Sequence, residues 1–183
     1  MIKRTVELGF FLALALILAY VESLIPFSFG IPGIKLGLPN LIVVLLLAGN
    51  SKAEQNGALR DKGRSWDGVK EALLVNGLRI ILSGFLFSNL YTILYALAGA
   101  VCSFAAMLLG RRLKCFSVIG VSVLGGVFHN IGQIVVAMLV VKTVYVGYYI
   151  PYLIVAGTVT GAVLGFIAME LLPYLYRLNN RVY

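Results

Sequence analysis

An arginine in the middle of a long apolar run is the residue here that most needs a chemical reason. Arg79 sits within Val69 to Leu90, with Asn76 one turn earlier and Ser83 one turn later. By the three-and-four spacing, Asn76, Arg79, Ile80 and Ser83 share one helix face. A charge at the centre of a membrane span costs about 2.5–3.5 kcal/mol on insertion scales, so it needs a partner or a task. A second polar group, His129, Asn130 and Gln133, lies within the apolar run Ser117 to Val141, and His129 and Gln133 again share a face. Two polar faces at comparable depth either hydrogen-bond one another as the glue of a bundle or line a cavity. In the second case Arg79 offers a fixed positive charge to an anionic or strongly electronegative ligand. His129, Asn130 and Gln133 then supply donors and acceptors for specificity.

A third feature is the break Ile31-Pro32-Gly33-Ile34-Lys35-Leu36-Gly37-Leu38-Pro39-Asn40. Proline and glycine interrupt the helix, and membranes tolerate irregular backbone only where it lines a cavity or is buried in protein. With Lys35 inside it, the segment reads either as a lid over an outward-facing pocket or as an ordinary extracellular loop. Glu22 and Glu170 read as interfacial or locally paired charges rather than ligands.

Catalysis is not expected. The chain has no G-x-x-x-x-G-K-[ST] loop, no G-x-S-x-G and no H-E-x-x-H, and its two aspartates, Asp61 and Asp67, form no diphosphate-binding cluster. Cys102 and Cys115 stand apart from one another and from His129, so neither a metal site nor a disulfide framework is expected, and no cofactor is implied.

The elements that must position these residues are membrane helices. Of 183 residues, 61% are hydrophobic and 12% charged, against roughly half and a quarter in a soluble domain. Lipid must cover the surplus, in one compact domain spanning residues 1–183. Six spans are expected: Thr5–Pro26, Leu38–Gly49, Val69–Leu90, Tyr91–Gly110, Ser117–Val141 and Tyr149–Tyr176. The second is adequate only if Phe29–Gly37 also enters the membrane. The hydrophilic stretch Asn50–Asp67 reads as a polar cytoplasmic loop.

An N-terminus inside the cell puts Lys3, Arg4, Lys52, Arg60, Lys62, Arg64, Lys70, Arg111, Arg112, Lys114, Arg177 and Arg181 on the inner side, and only Lys35 and Lys142 outside. That asymmetry predicts cytoplasmic termini at both ends of an all-α, multi-pass protein of the cell membrane. It also accounts for the net charge of +8 without nucleic acid. Small residues recur at helical spacing, as Ala15 and Ala19 on the first span and as Gly157, Gly161 and Gly165 on the sixth, where they let helices approach closely.

Three of these motifs, taken in order, resemble one family. The run Pro32 to Asn40, then Lys70-Glu71-Ala72-Leu73-Leu74-Val75 with Arg79, then His129-Asn130-Ile131-Gly132-Gln133, is similar to the Gx transporter family, whose members are often labelled heptaprenyl diphosphate synthase component I. The likeness runs from Thr5 to about Leu175. That family in turn resembles the substrate-binding (S) components of energy-coupling factor (ECF) transporters, six-helix bundles with both termini inside. These import vitamins and related micronutrients with a coupling transmembrane (T) subunit and, through it, two ATPase subunits.

By that resemblance, Ala13, Ala15 and Ala19 form the face that docks the coupling subunit. Lys35 and Asn40 belong to the lid side, and Arg79, Asn89, His129 and Gln133 to a pocket near the outer leaflet, with Asn76 and Asn130 beside them. Pro39 stands where the pattern has a small residue, and the polar loop is longer than the pattern requires. The alternatives are a membrane accessory component of heptaprenyl diphosphate synthesis, and a small stand-alone carrier or channel. The last lacks the internal repeat of many carriers.

Overall fold

The computed structural model of the chain describes residues 2–25, 35–49, 66–113 and 115–181. Among them six α-helices follow in order: α1 Ile2–Leu24, α2 Asn40–Gly49, α3 Trp66–Phe87, α4 Leu90–Leu113, α5 Val118–Val141 and α6 Ile150–Arg181, with a 3-10 turn, Val144–Tyr149, before the last. No strand is present among the described residues. Pro32, Gly33, Ile34 and most of the polar stretch Asn50–Asp67 lie outside them, but Trp66 and Asp67 already belong to α3.

Four stretches are long and apolar enough to cross a bilayer: Arg4–Leu24, Leu90–Leu113, Val118–Val141 and Val144–Leu175. The other two helices depart from the expected span pattern for different reasons. α3 has the length, at 22 residues, but carries Lys70 and Glu71 in its first turns and Arg79 beyond its middle. α2 has the apolarity but only 10 residues, or about 15 Å, half the thickness of the hydrocarbon core. The second element is therefore a half-length helix. Every residue from Asn40 to Ala48 is buried, with α1, α3, α5 and α6 packed around it.

The outward faces of the long helices carry mostly large apolar side chains, as contact with lipid requires, while the polar side chains of the spans are mostly buried. On α1, Val6, Phe10, Ala13, Ile17, Tyr20 and Leu24 are exposed, whereas Phe11, Ala15, Ala19 and Glu22 face the bundle. At the N-terminal end of α1, Arg4 Nε donates to Glu71 Oε1 at 2.7 Å and its Nη1 to Glu7 Oε2 at 2.8 Å, fastening α1 to α3.

α5 is the central strut, in close contact with α4 and α6. A Cβ on Gly161 would lie 2.7 Å from Val123 Cα, and one on Gly165 2.7 Å from Ile119 Cα. The glycine ladder of α6 thus serves packing inside the bundle. On the opposite flank, a Cβ on Gly132 would meet the Ala98 carbonyl oxygen at 2.6 Å, so α4 is seated just as closely.

Candidate ligand-binding site

The turn between the described start of the loop and α2 reaches deep into the bundle. A Cβ on Gly37 would lie 2.9 Å from Asn40 Nδ2 and 3.2 Å from His129 Cδ2. His129 is midway along α5, so irregular backbone sits at mid-membrane depth, buried in protein as the bilayer requires. Gly37 has φ +85°, a left-handed conformation that favours glycine, and its carbonyl accepts the Asn40 N–H at 2.9 Å to start α2.

Three elements hold this turn. From α1, the Glu22 carboxylate accepts the Gly37 N–H and, at 3.2 Å through the same Oε1, the Leu38 N–H. From α5, Gln133 Oε1 accepts the Lys35 N–H at 3.3 Å. From the α3–α4 junction, Ser88 Oγ accepts from Lys35 Nζ at 3.2 Å. With Gln133 Oε1 engaged, its Nε2 donates to His129 Nε2 at 3.1 Å. That ring nitrogen is then the acceptor, and Nδ1 lies against the backbone at Gly99, where a Cβ would come within 2.8 Å.

The α3 side contributes the buried cation. Arg79 is 6% exposed and donates from Nη2 to Asn76 Oδ1 at 2.6 Å. Its Nε has no partner, and neither has Asn40 Nδ2, although Asn40 is 4% exposed. Glu22, Lys35 and Arg79 are the acidic and basic side chains of this region. Among the described residues no ion pair joins the three, and Arg79 makes no hydrogen bond to His129 or Gln133. Arg79 pairs with Asn76 within α3 and Gln133 with His129 within α5, while Arg79 Nε, Asn40 Nδ2 and His129 Nδ1 are buried without a hydrogen-bond partner. A buried N–H without a partner costs about 1–3 kcal/mol, so such groups call for an explanation.

The structure gathers Lys35, Asn40, His129 and Gln133 around the turn, pairs Asn76 with Arg79 on α3, and leaves the remaining expected residues elsewhere. Asn89 is exposed and caps α4, its Oδ1 accepting from Thr92 N at 2.9 Å and Thr92 Oγ1 at 3.0 Å. Asn130 turns to α6, where its Nδ2 donates to the Leu153 carbonyl at 2.8 Å. It follows His129 directly, and one residue along a helix turns the side chain by about 100°. Ser83 donates back to the Ile80 carbonyl of its own helix at 3.3 Å. Of the alanines, Ala15 and Ala19 are 2% and 4% exposed, so the outward face of α1 carries only Ala13.

The sequence reading missed Glu22, which is 6% exposed and anchors the turn rather than sitting at the interface. Its signal was an acidic residue ending an apolar run just before the break. Glu170 is exposed, as expected of an interfacial charge.

Apolar helices of spanning length, with polar side chains buried among them, define an all-helical multi-pass membrane protein. Its sequence matches the heptaprenyl diphosphate synthase component I family over residues 11–55 and 65–171, and the chain belongs to that family. No curated protein and no solved structure matches it.

Proposed function

We propose that the chain is the substrate-binding subunit of an ECF-type importer, capturing a small vitamin-like or anionic aromatic or isoprenoid-related molecule from outside the cell. One observation carries this reading: the turn Lys35–Pro39 is held inside the bundle by side chains of α1, α5 and the α3–α4 junction, and the bundle also buries an incompletely partnered cation, Arg79. A non-helical segment fastened by a few polar contacts is suited to open for a ligand and close behind it. The basic residues favour both termini in the cytoplasm of a plasma-membrane protein, with the turn outside.

A coupling T subunit, with two ATPase subunits behind it, would then meet α1 on its outward stripe at Ala13. Ala15 and Ala19 face inward and instead let α1 approach the bundle. The family's description favours a second reading, a membrane accessory to a prenyl diphosphate synthase. In that case the cluster is packing and the protein's partner is soluble.

Native mass spectrometry of the gently purified chain, co-expressed with an ECF module, separates the two. A retained small molecule together with an assembled ATPase complex supports capture. A bare chain bound only to a soluble prenyltransferase refutes it.

A further inference from the structure

Three side chains of the bundle bear on the turn Lys35–Pro39, and only one of them grips its backbone through an ionisable group. Glu22, 6% exposed in the last turn of α1, accepts the N–H groups of both Gly37 and Leu38 at Oε1. Gly37 has φ +85°, and successive N–H groups turned to one side in such a turn form a concavity that suits an anion. Here the anion is the protein's own side chain. The remaining fasteners are weaker. Gln133 offers the Lys35 N–H a neutral amide oxygen at 3.3 Å. Ser88 Oγ receives Lys35 Nζ at 3.2 Å, through the tip of a long, part-exposed side chain. A hydrogen bond to an ionised acceptor is roughly twice as strong as a neutral one.

The turn also covers polar groups. A Cβ on Gly37 would stand 2.9 Å from Asn40 Nδ2 and 3.2 Å from His129 Cδ2. Asn40 Nδ2 is buried and has no partner, so lifting the turn uncovers a donor and the edge of the imidazole together.

We propose that Glu22 is a proton-operated latch. As a carboxylate it keeps the turn docked on Asn40 and His129. With a proton taken up from water it loses its charge, loosens its hold on Gly37 and Leu38, and lets the turn lift. That this admits a ligand rests on the capture reading above; the latch itself does not.

Few charged or titratable groups surround Glu22. α2 carries none. On α3, Asp67, Lys70 and Glu71 lie in the first turns, at the far end of α1 where Arg4 meets Glu71, and Arg79 lies beyond the middle. The turn itself carries Lys35. From α5 comes His129, whose Nε2 accepts from Gln133 Nε2, so a proton on that ring would also disturb the turn, through Gln133.

Hydrogen–deuterium exchange of the full chain in lipid nanodiscs tests the latch. It is read by mass spectrometry on peptides covering Lys35–Asn40, as protection relative to the intrinsic exchange rate at each pH. Peptides from α5 report any general loosening. Between about pH 7.5 and about pH 4, a range that spans ordinary imidazole and carboxyl titration, protection of the wild-type turn is expected to fall about tenfold while α5 is unchanged. Glu22→Gln keeps an acceptor oxygen but no charge. Its turn is expected to be about tenfold less protected already at the higher pH, and to stay level as the pH falls. Ser88→Ala is expected to lower protection yet keep the acid response.

Constant protection of the wild-type turn overturns the proposal, as does loss of α5 protection in step with it. So does wild-type protection in Glu22→Gln, or an acid response that persists there, which would belong to His129. Assembly with an ATPase module is measured separately. An acid-operated turn in a chain that does not assemble would refute the importer reading and leave the latch standing, and the reverse result would do the opposite.

Discussion

Replacing Gly161 by alanine adds one methyl group to a position where the neighbours are backbone and cannot rotate aside. The new Cβ would lie 2.7 Å from Val123 Cα, 2.8 Å from the Ser122 carbonyl oxygen and 3.1 Å from Val123 N. Carbon atoms pack best at about 3.5–4.0 Å, so α5 and α6 must part by about 1 Å along this stretch. Overpacking of this kind costs about 1–3 kcal/mol, a change of about 5- to 150-fold in the folded-to-unfolded ratio.

The control is the same substitution at Gly9 on α1, where a Cβ meets nothing within 4 Å. There the only change is the helix preference of alanine over glycine, which favours the variant by about 0.5–1 kcal/mol. Reversible unfolding in mixed micelles, titrated with a denaturing detergent, measures both. Gly161→Ala is expected to be clearly destabilised, and Gly9→Ala equal to wild type or slightly more stable. If the two variants unfold within about 0.5 kcal/mol of one another, the close α5–α6 contact is wrong.

Further substitutions separate the site from its scaffold. Asn89→Ala removes the cap of α4 and is expected to cost about 1 kcal/mol of stability, while a co-purified ligand seen by native mass spectrometry is still retained. Ala15→Trp forces a large ring into the bundle and is expected to lower the unfolding midpoint sharply. Ala13→Trp faces outward, so it is expected to leave stability alone and abolish ATPase-module assembly on co-purification. Gly99→Ala places a methyl group 2.8 Å from His129 Nδ1 and 2.9 Å from the His129 carbonyl oxygen, so it is expected to push α4 from α5 and lower the unfolding midpoint as Gly161→Ala does.

The helices were legible because hydropathy and spacing are local properties. Arg79 and Asn76 stand three residues apart within one helix, and that spacing alone brings a 2.6 Å hydrogen bond within reach. The same local logic recovered the His129–Gln133 pair and the close-packing glycines of α6. The break at Pro32–Asn40 announced irregular backbone, and its described part, Lys35–Pro39, lies against His129 and Gln133.

Other features depended on which way a face turns, and an apolar face gives no sign of that. In water, the apolar side of a helix faces the core. In lipid both sides are apolar, so nothing local shows that Ala15 and Ala19 turn inward while Ala13 turns outward. Nor does anything separate His129 from Asn130 until α4 and α6 are seated on opposite sides of α5. The shortness of Leu38–Gly49 was legible from its length, but not that the turn into it dips to the depth of His129. Glu22 meets Gly37 at a separation of 15 residues, which no helical periodicity links. Sequence alone determined that this is a helical membrane protein with charges buried in its spans. Only the tertiary structure decided which of those charges meet, because that depends on how whole helices rotate and stack.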